Sequence, residues 1–382
     1  MIDPVDFISA LKKLDIRFVT GVPDSLLADV CACITSNWPT SSHVIATNEG
    51  SAAGLAIGHY LASGHPALVY MQNAGLGNII NPLTSLADPE VYGVPMLLMI
   101  GWRGEILADG TQLHDEPQHV KQGQVTLRQL DVLDIPYKII DSQTTEIEPI
   151  LHELINQAFS RSGPAALVVR KQTFSNYKLP SSGENNALLS REAAIQIVIQ
   201  TLPDNIPVVS TTGKASRELF ELRKQSNSVH QRDFLTVGGM GHAGQIAAGI
   251  AMARPDIRIA CIDGDGAVLM HMGALTINAD CPNLLHIVIN NGAHDSVGGQ
   301  PTKGASLEFS RIATACGYGS ASQAETSEEI TAAIDQWLNN GTSTFLEIKC
   351  KLGARADLGR PDRSPAQNKA GFMQFIQSIR AE

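Results

Sequence analysis

The chain has 382 residues, of which 43% are hydrophobic and 17% charged, a balance that suits a globular α/β protein with room for two domains and excludes general disorder. A net charge of −10 argues against a nucleic-acid partner, no apolar stretch is long enough to span a membrane, and Met1-Ile2-Asp3-Pro4 lacks the basic start of a signal peptide. The six cysteines form no CxxC pair, and thiols scattered in this way fit a reducing cytoplasm.

Along the chain, apolar β-branched runs alternate with helix-like periodic segments, the pattern of parallel sheets covered by helices. In the first half, strands are expected at Arg17–Val22, Val44–Thr47, Ala67–Met71, Met96–Ile100, Tyr137–Ile140 and Ala166–Val169. The polar stretch Leu179–Asn186 reads as a linker. The second half repeats the scheme at Val208–Thr211, Phe234–Val237, Arg258–Ile262, Leu285–Ile289 and Phe345–Ile348. The expected organisation is a doubly wound α/β domain over residues 1–178, a linker over 179–189 and a second such domain over 190–382, with no middle domain.

The second half carries the most telling motif. The run Ile257–Ile262 ends in Asp263-Gly264-Asp265-Gly266-Ala267, and a second apolar run, His286–Ile289, ends in Asn290-Asn291. Asp265 and Asn291 therefore stand at the carboxyl ends of strands, where open α/β sheets place their ligands. The glycines let the backbone approach an anion, and a hard cation such as Mg²⁺ takes oxygen donors together with phosphate oxygens. The pair reads as a metal-held diphosphate site.

A rival fingerprint overlaps it. Gly239-Met240-Gly241-His242-Ala243-Gly244 matches the dinucleotide-binding GxGxxG, follows a strand, opens a helix and has Asp263 downstream. That reading leaves Asn290-Asn291 without a role, and its acidic residue already belongs to the Asp263–Gly266 turn.

In the first half, Val44-Ile45-Ala46-Thr47-Asn48-Glu49-Gly50-Ser51 is a strand, a polar corner and the small-residue start of a helix. Taken alone, Glu49 also reads as a first-turn carboxylate favoured by the helix dipole. Gln72-Asn73-Ala74-Gly75-Leu76-Gly77-Asn78 is a Gly-rich strand-to-helix turn, and Ser210-Thr211-Thr212-Gly213 offers hydroxyls and a glycine at a strand end.

Gly-Asp-Gly followed by Asn-Asn resembles the signature of thiamine-diphosphate enzymes. The resemblance implies a pyrimidine-binding domain followed by a pyrophosphate-binding domain. Glu49 is then the catalytic glutamate that favours the imino tautomer of the cofactor's aminopyrimidine ring. Met240 is the apolar wedge that bends the cofactor, and the Gly238 carbonyl accepts from the exocyclic amine. Asn73 lines the pyrimidine pocket, while Thr212, Gly213, Gly264, Gly266 and Ala267 lie near the diphosphate. Asp265, Asn291 and the Ala293 carbonyl are the expected ligands of Mg²⁺.

The two-domain length and five segments give the chain a further likeness to the phosphonopyruvate decarboxylases and the related sulfopyruvate decarboxylases. The segments are Gly21–Leu27, Gly101–Gly104, Asp115–His119, Asn290–Thr302 and Leu358–Pro361, and the stretch Glu105–Leu113 is a departure that adds length beside them. The implied reaction is decarboxylation of 3-phosphonopyruvate, with sulfopyruvate decarboxylation, carboligation and a regulatory subunit as alternatives. Asp24, Ser25, Arg103, His119, His294 and Ser296 are the candidate contacts to the small 2-oxo acid substrate. Asp24-Ser25 also reads as a helix N-cap pair, and each histidine and arginine also as a surface group. The family further implies a homodimer or larger homo-oligomer with active sites at subunit interfaces.

Overall fold

The structure, a computed structural model, describes residues 1–179, 188–226 and 230–380. The chain divides into two compact units, Met1–Ser181 with Ser296–Gln300 and Ser182–Asp295 with Pro301–Glu382. Most of the linker expected over 179–189 lies outside the described residues. Among the described residues no helix is long and apolar enough to cross a membrane.

In the first unit the strands are β1 (Phe18–Gly21), β2 (His43–Ile45), β3 (Ala67–Gln72), β4 (Met96–Gly101), β5 (Tyr137–Ile140) and β6 (Pro164–Val169). In the second they are β7 (Val208–Ser210), β8 (Asp233–Leu235), β9 (Ile259–Gly264), β10 (Leu284–Asn290), β11 (Ser320–Ala324) and β12 (Thr344–Lys349). Every ladder is parallel. Among the described residues each unit holds a six-stranded sheet, ordered β2-β1-β3-β4-β6-β5 and β8-β7-β9-β10-β12-β11. The two orders are the same topology, so the halves share a fold without a visible sequence repeat. In each, the direction of winding reverses between the first and third strands, which opens a crevice at their carboxyl ends.

Central strands such as β4 and β10 are buried on both faces, because helices cover both sides of a parallel sheet. Their near-continuous apolar runs follow from that burial. β11, Ser-Ala-Ser-Gln-Ala, was not expected from the sequence. It is a mostly half-exposed edge strand held by register with β12, and its composition carries no strand signal. β8 ends before the expected Val237 because the chain turns through Gly239 and Gly241, both at positive φ.

Local signals set the helix ends that matter for the site. Helix Glu49–Ser63 starts where Asn48 Oδ1 accepts the Ser51 N–H at 2.8 Å and stops at Gly64 in the left-handed conformation. Such an N-cap contributes about 1 kcal/mol. Gly213, at φ +97, makes the sharp turn from β7 into helix Lys214–Gln225.

Candidate active site

In the second unit, Asp265 opens a short helix at the end of β9 and Asn291 follows the end of β10, its neighbour in the sheet. Strand alternation divides the two asparagines. Asn290 points inward and donates to Glu347 Oε1 at 2.7 Å and to the Gly304 carbonyl at 2.8 Å, which anchors the strand end. Asn291 is half-buried, and its Oδ1 accepts the Ala293 N–H at 3.2 Å. The chain then returns as a hairpin. Ala293 bridges Pro301, and the Thr302 N–H donates to the Gly292 carbonyl at 2.8 Å.

This return delivers Thr302, whose hydroxyl donates to Asp265 Oδ2. Gly304 passes so close that an added Cβ would stand 2.5 Å from the same oxygen. Burial pushes the Asp265 carboxyl up to about 6, against the Thr302 hydroxyl, nearby N–H groups and the charge of Lys349. A buried carboxylate with so little positive charge nearby suits a cation, and the carboxylate, amide and carbonyl oxygens present are the donors Mg²⁺ takes. The residues fit that ion. Thr302 and Gly304 were not singled out as site residues; that Thr302 closes the motif run Asn290–Thr302 was the available signal.

Met240, Gly266 and His294 come together: a Cβ on Gly266 would lie 3.2 Å from Met240 Cε and 3.3 Å from His294 Cε1. Burial lowers the His294 pKa to about 4, so the ring is neutral at physiological pH. Gly238, Thr212 and Gly213 are half-buried at the ends of β8 and β7. Asp295 is tied to Arg191 Nη1 at 2.8 Å, and Arg191 also grips Glu218 at 2.7 and 2.8 Å. Ser296 is exposed.

The dinucleotide reading fails on geometry. Asp263 lies within β9, 2% exposed, beside His286 Nε2 at 3.6 Å, and accepts the Gly264 N–H at 3.0 Å. His286 Nδ1 in turn faces the Tyr318 hydroxyl at 3.0 Å. An acid enclosed in that network is not presented to a ribose.

In the first unit, Glu49 is 5% exposed, and its Oε2 accepts from Asn78 Nδ2 at 2.7 Å. Asn73 is fully buried. Its Nδ2 donates to the Arg103 carbonyl and to Thr126 Oγ1, both at 2.9 Å, and its Oδ1 accepts the Arg103 N–H at 3.3 Å. Its side chain therefore ties the end of β3 to the end of β4.

Asp24 is also fully buried, accepting from Gln72 Nε2 at 2.6 Å and the Leu26 N–H at 3.2 Å. Burial raises its pKa, against the Gln72 hydrogen bond and the charge of Arg103. Neither Asp24 nor Ser25 caps the next helix, whose N-cap is Leu27. Ser25 is exposed and its Oγ accepts from Arg103 Nη1 at 2.9 Å. The remaining guanidinium edge of Arg103 pairs with Asp115, which sequence reading placed in a motif without a role. His119 is 7% exposed on helix Pro117–Val132. The added stretch 105–113 forms a small hairpin, with Ile106 bridging Gln112 and Arg170 donating to the Ile106 carbonyl at 2.9 Å.

Comparison with known proteins agrees with the two-domain fold. Residues 6–129 match the thiamine pyrophosphate enzyme N-terminal TPP binding domain, and residues 211–348 match the C-terminal TPP binding domain. The chain is 32% identical to a phosphonopyruvate decarboxylase of Streptomyces viridochromogenes, over 98% of this chain and 95% of that protein. It is 32% identical to one from Streptomyces hygroscopicus, over 98% and 94%. To a sulfopyruvate decarboxylase of Methanosarcina acetivorans it is 26% identical, over 91% and 90%.

Proposed function

We propose that this chain, which belongs to the thiamine pyrophosphate enzymes and is a thiamine-diphosphate-dependent decarboxylase, removes CO₂ from 3-phosphonopyruvate to leave phosphonoacetaldehyde. The observation that carries the substrate is the likeness, over nearly the whole length of both chains, to two proteins named phosphonopyruvate decarboxylase. In this reading the enzyme serves phosphonate biosynthesis in the cytoplasm.

Thiamine diphosphate, when bound, supplies a thiazolium ring that accepts the electron pair left as CO₂ departs. The chain's own residues do the rest. Glu49 would hold a proton at the aminopyrimidine ring nitrogen, the Gly238 carbonyl would accept from the exocyclic amine, and Met240 would pack against the cofactor. Asp265, Asn291 and the Ala293 carbonyl would hold Mg²⁺. Thr212, Gly213, Gly264, Gly266 and Ala267 line the diphosphate, and the buried, cation-seeking carboxyl of Asp265 supports that assignment.

For the substrate, Ser25 and Arg103 bind the anionic groups, with Asp115 fixing the guanidinium plane. His119 and His294 are hydrogen-bond partners, His294 as a neutral imidazole. Residues 1–178 serve as the pyrimidine-binding domain and 190–382 as the pyrophosphate-binding domain, and the active enzyme is a homodimer or larger. Exposed Gly54, Gly58 and Gly77, where an added Cβ would meet nothing, support a close-packed helix face for a second copy. Sulfopyruvate is the second reading, favoured by the likeness to a sulfopyruvate decarboxylase.

Phosphorus-31 NMR of phosphonopyruvate incubated with the holoenzyme tests the reading. The expected result is loss of substrate signal and growth of an aldehyde-bearing phosphonate with the phosphorus–carbon bond intact. An unchanged spectrum with cofactor bound contradicts it.

A further inference from the structure

We infer that Asn78 is a positioning residue for Glu49, holding one carboxylate oxygen so that the other is presented to the cofactor's ring nitrogen. This rests on the reading of Glu49 as the group that handles the proton there.

A carboxylate at the first position of a helix has two easy fates, capping a first-turn N–H or turning to water. Neither is taken here. The Ser51 N–H is already satisfied by Asn48, and Glu49 is buried. Its carboxylate instead lies against the turn that follows β3. Asn78, on helix Leu76–Pro82, donates to Oε2 at 2.7 Å. Gly75, at the start of the same helix, lies beneath the other oxygen: an added Cβ would stand 2.5 Å from Oε1 and 2.6 Å from Cγ.

Gly75 has φ −68, an ordinary helical value that any residue adopts. Its backbone does not call for glycine; the space taken by Glu49 does. A hydrogen bond at one oxygen and a fitted slot at the other fix the carboxylate plane, so a rotation that would aim Oε1 elsewhere breaks one or meets the other. The donor is an uncharged amide, whereas an aspartate at 78 would set two carboxylates at hydrogen-bond distance. Asn78 is itself exposed, so the pair adds little to the core and the side chain can be replaced without unfolding the domain.

The test measures exchange of the C2 proton of bound thiamine diphosphate with deuterium in the Mg²⁺ holoenzyme, across pH, beside cofactor affinity by equilibrium dialysis. Asn78→Ala is expected to slow exchange about 10- to 100-fold with affinity within about threefold of wild type. Asn78→Asp is expected in addition to move the acid limb of the profile to higher pH by roughly one unit or more. In the apoprotein, Gly75→Ala should lower the melting temperature, and far less so in a Glu49→Ala background, the non-additivity of residues in contact. If Glu49→Gln exchanges like wild type, the reading of Glu49 falls. If Glu49→Gln abolishes exchange while both Asn78 variants match wild type, or if Asn78→Ala loses affinity and not exchange rate, the positioning role alone is overturned.

Discussion

Arg103 and Asp115 meet as a fork and a carboxylate: Nε donates to Oδ2 at 2.8 Å and Nη2 to Oδ1 at 2.6 Å. Partial burial raises the Asp115 pKa, but the hydrogen bonds and charge of Arg103 outweigh it and hold the carboxyl well below the usual range. The fork leaves Nη1 aimed at Ser25 and makes the guanidinium a fixed plate at the end of β4.

Losing that plate should cost recognition more than stability. Arg103→Lys keeps the charge but cannot make two parallel bonds. We expect kcat/KM for phosphonopyruvate to fall at least about tenfold, mostly through KM, with melting lowered by only a few degrees. Steady-state kinetics and a thermal melt check this together.

Arg191 ties three elements of the second unit, pairing with Glu218 and with Asp295 in the hairpin that carries Asn291 and Ala293. Its side chain is 7% exposed and that of Glu218 1%. Arg191→Met strands a buried carboxylate, and the expected loss is about 3–5 kcal/mol in urea unfolding. Arg191→Met with Glu218→Leu should recover part of it, because the buried Arg191–Glu218 pair is then gone and Asp295 keeps Lys214 at 3.4 Å.

His43, at the start of β2, has its pKa lowered by burial to about 4, and its Nε2 faces the Tyr70 hydroxyl at 3.0 Å. The neutral ring suits that partly buried position, whereas a charged ring there is poorly solvated. The unfolded chain binds the proton more readily, so stability is full above about pH 6.5 and is lost as pH falls toward about 4, by on the order of 2 kcal/mol. Urea midpoints at pH 5 and pH 8 should differ in wild type and differ less in His43→Gln.

The parts of this protein legible in its sequence are those set by local physics. β3, β4, β9 and β10 announce themselves because a strand buried on both faces is predominantly apolar, with Asp263 and His286 as buried exceptions in β9 and β10. β11 does not, since pairing with β12 supplies what its composition lacks. Glu49 is visible as a helix-opening carboxylate after a strand, whereas its partner Asn78 and the pairing of Arg103 with Asp115 arise only when separate segments fold together. Asp24 and Asn73, chosen by position, prove to be enclosed in hydrogen bonds of their own unit, a distinction between aiming outward and inward that no spacing encodes.

Mg²⁺ should be inseparable from cofactor retention. Chelation with EDTA is expected to weaken thiamine diphosphate binding about 100-fold or more, and Asp265→Ala should do the same with the metal in excess. Gly304→Ala should mimic it, because its new methyl group would stand 2.5 Å from Asp265 Oδ2 and push the carboxylate aside. Equilibrium dialysis of the cofactor, with and without Mg²⁺, checks all three.

The central claim is tested most directly by CO₂ release from phosphonopyruvate, sulfopyruvate and pyruvate in parallel, with thiamine diphosphate and Mg²⁺ supplied and Glu49→Gln as control. The account predicts rapid turnover of phosphonopyruvate, at least about tenfold faster than either alternative, and its loss in the control. Preference for sulfopyruvate, or full turnover by Glu49→Gln, would contradict it.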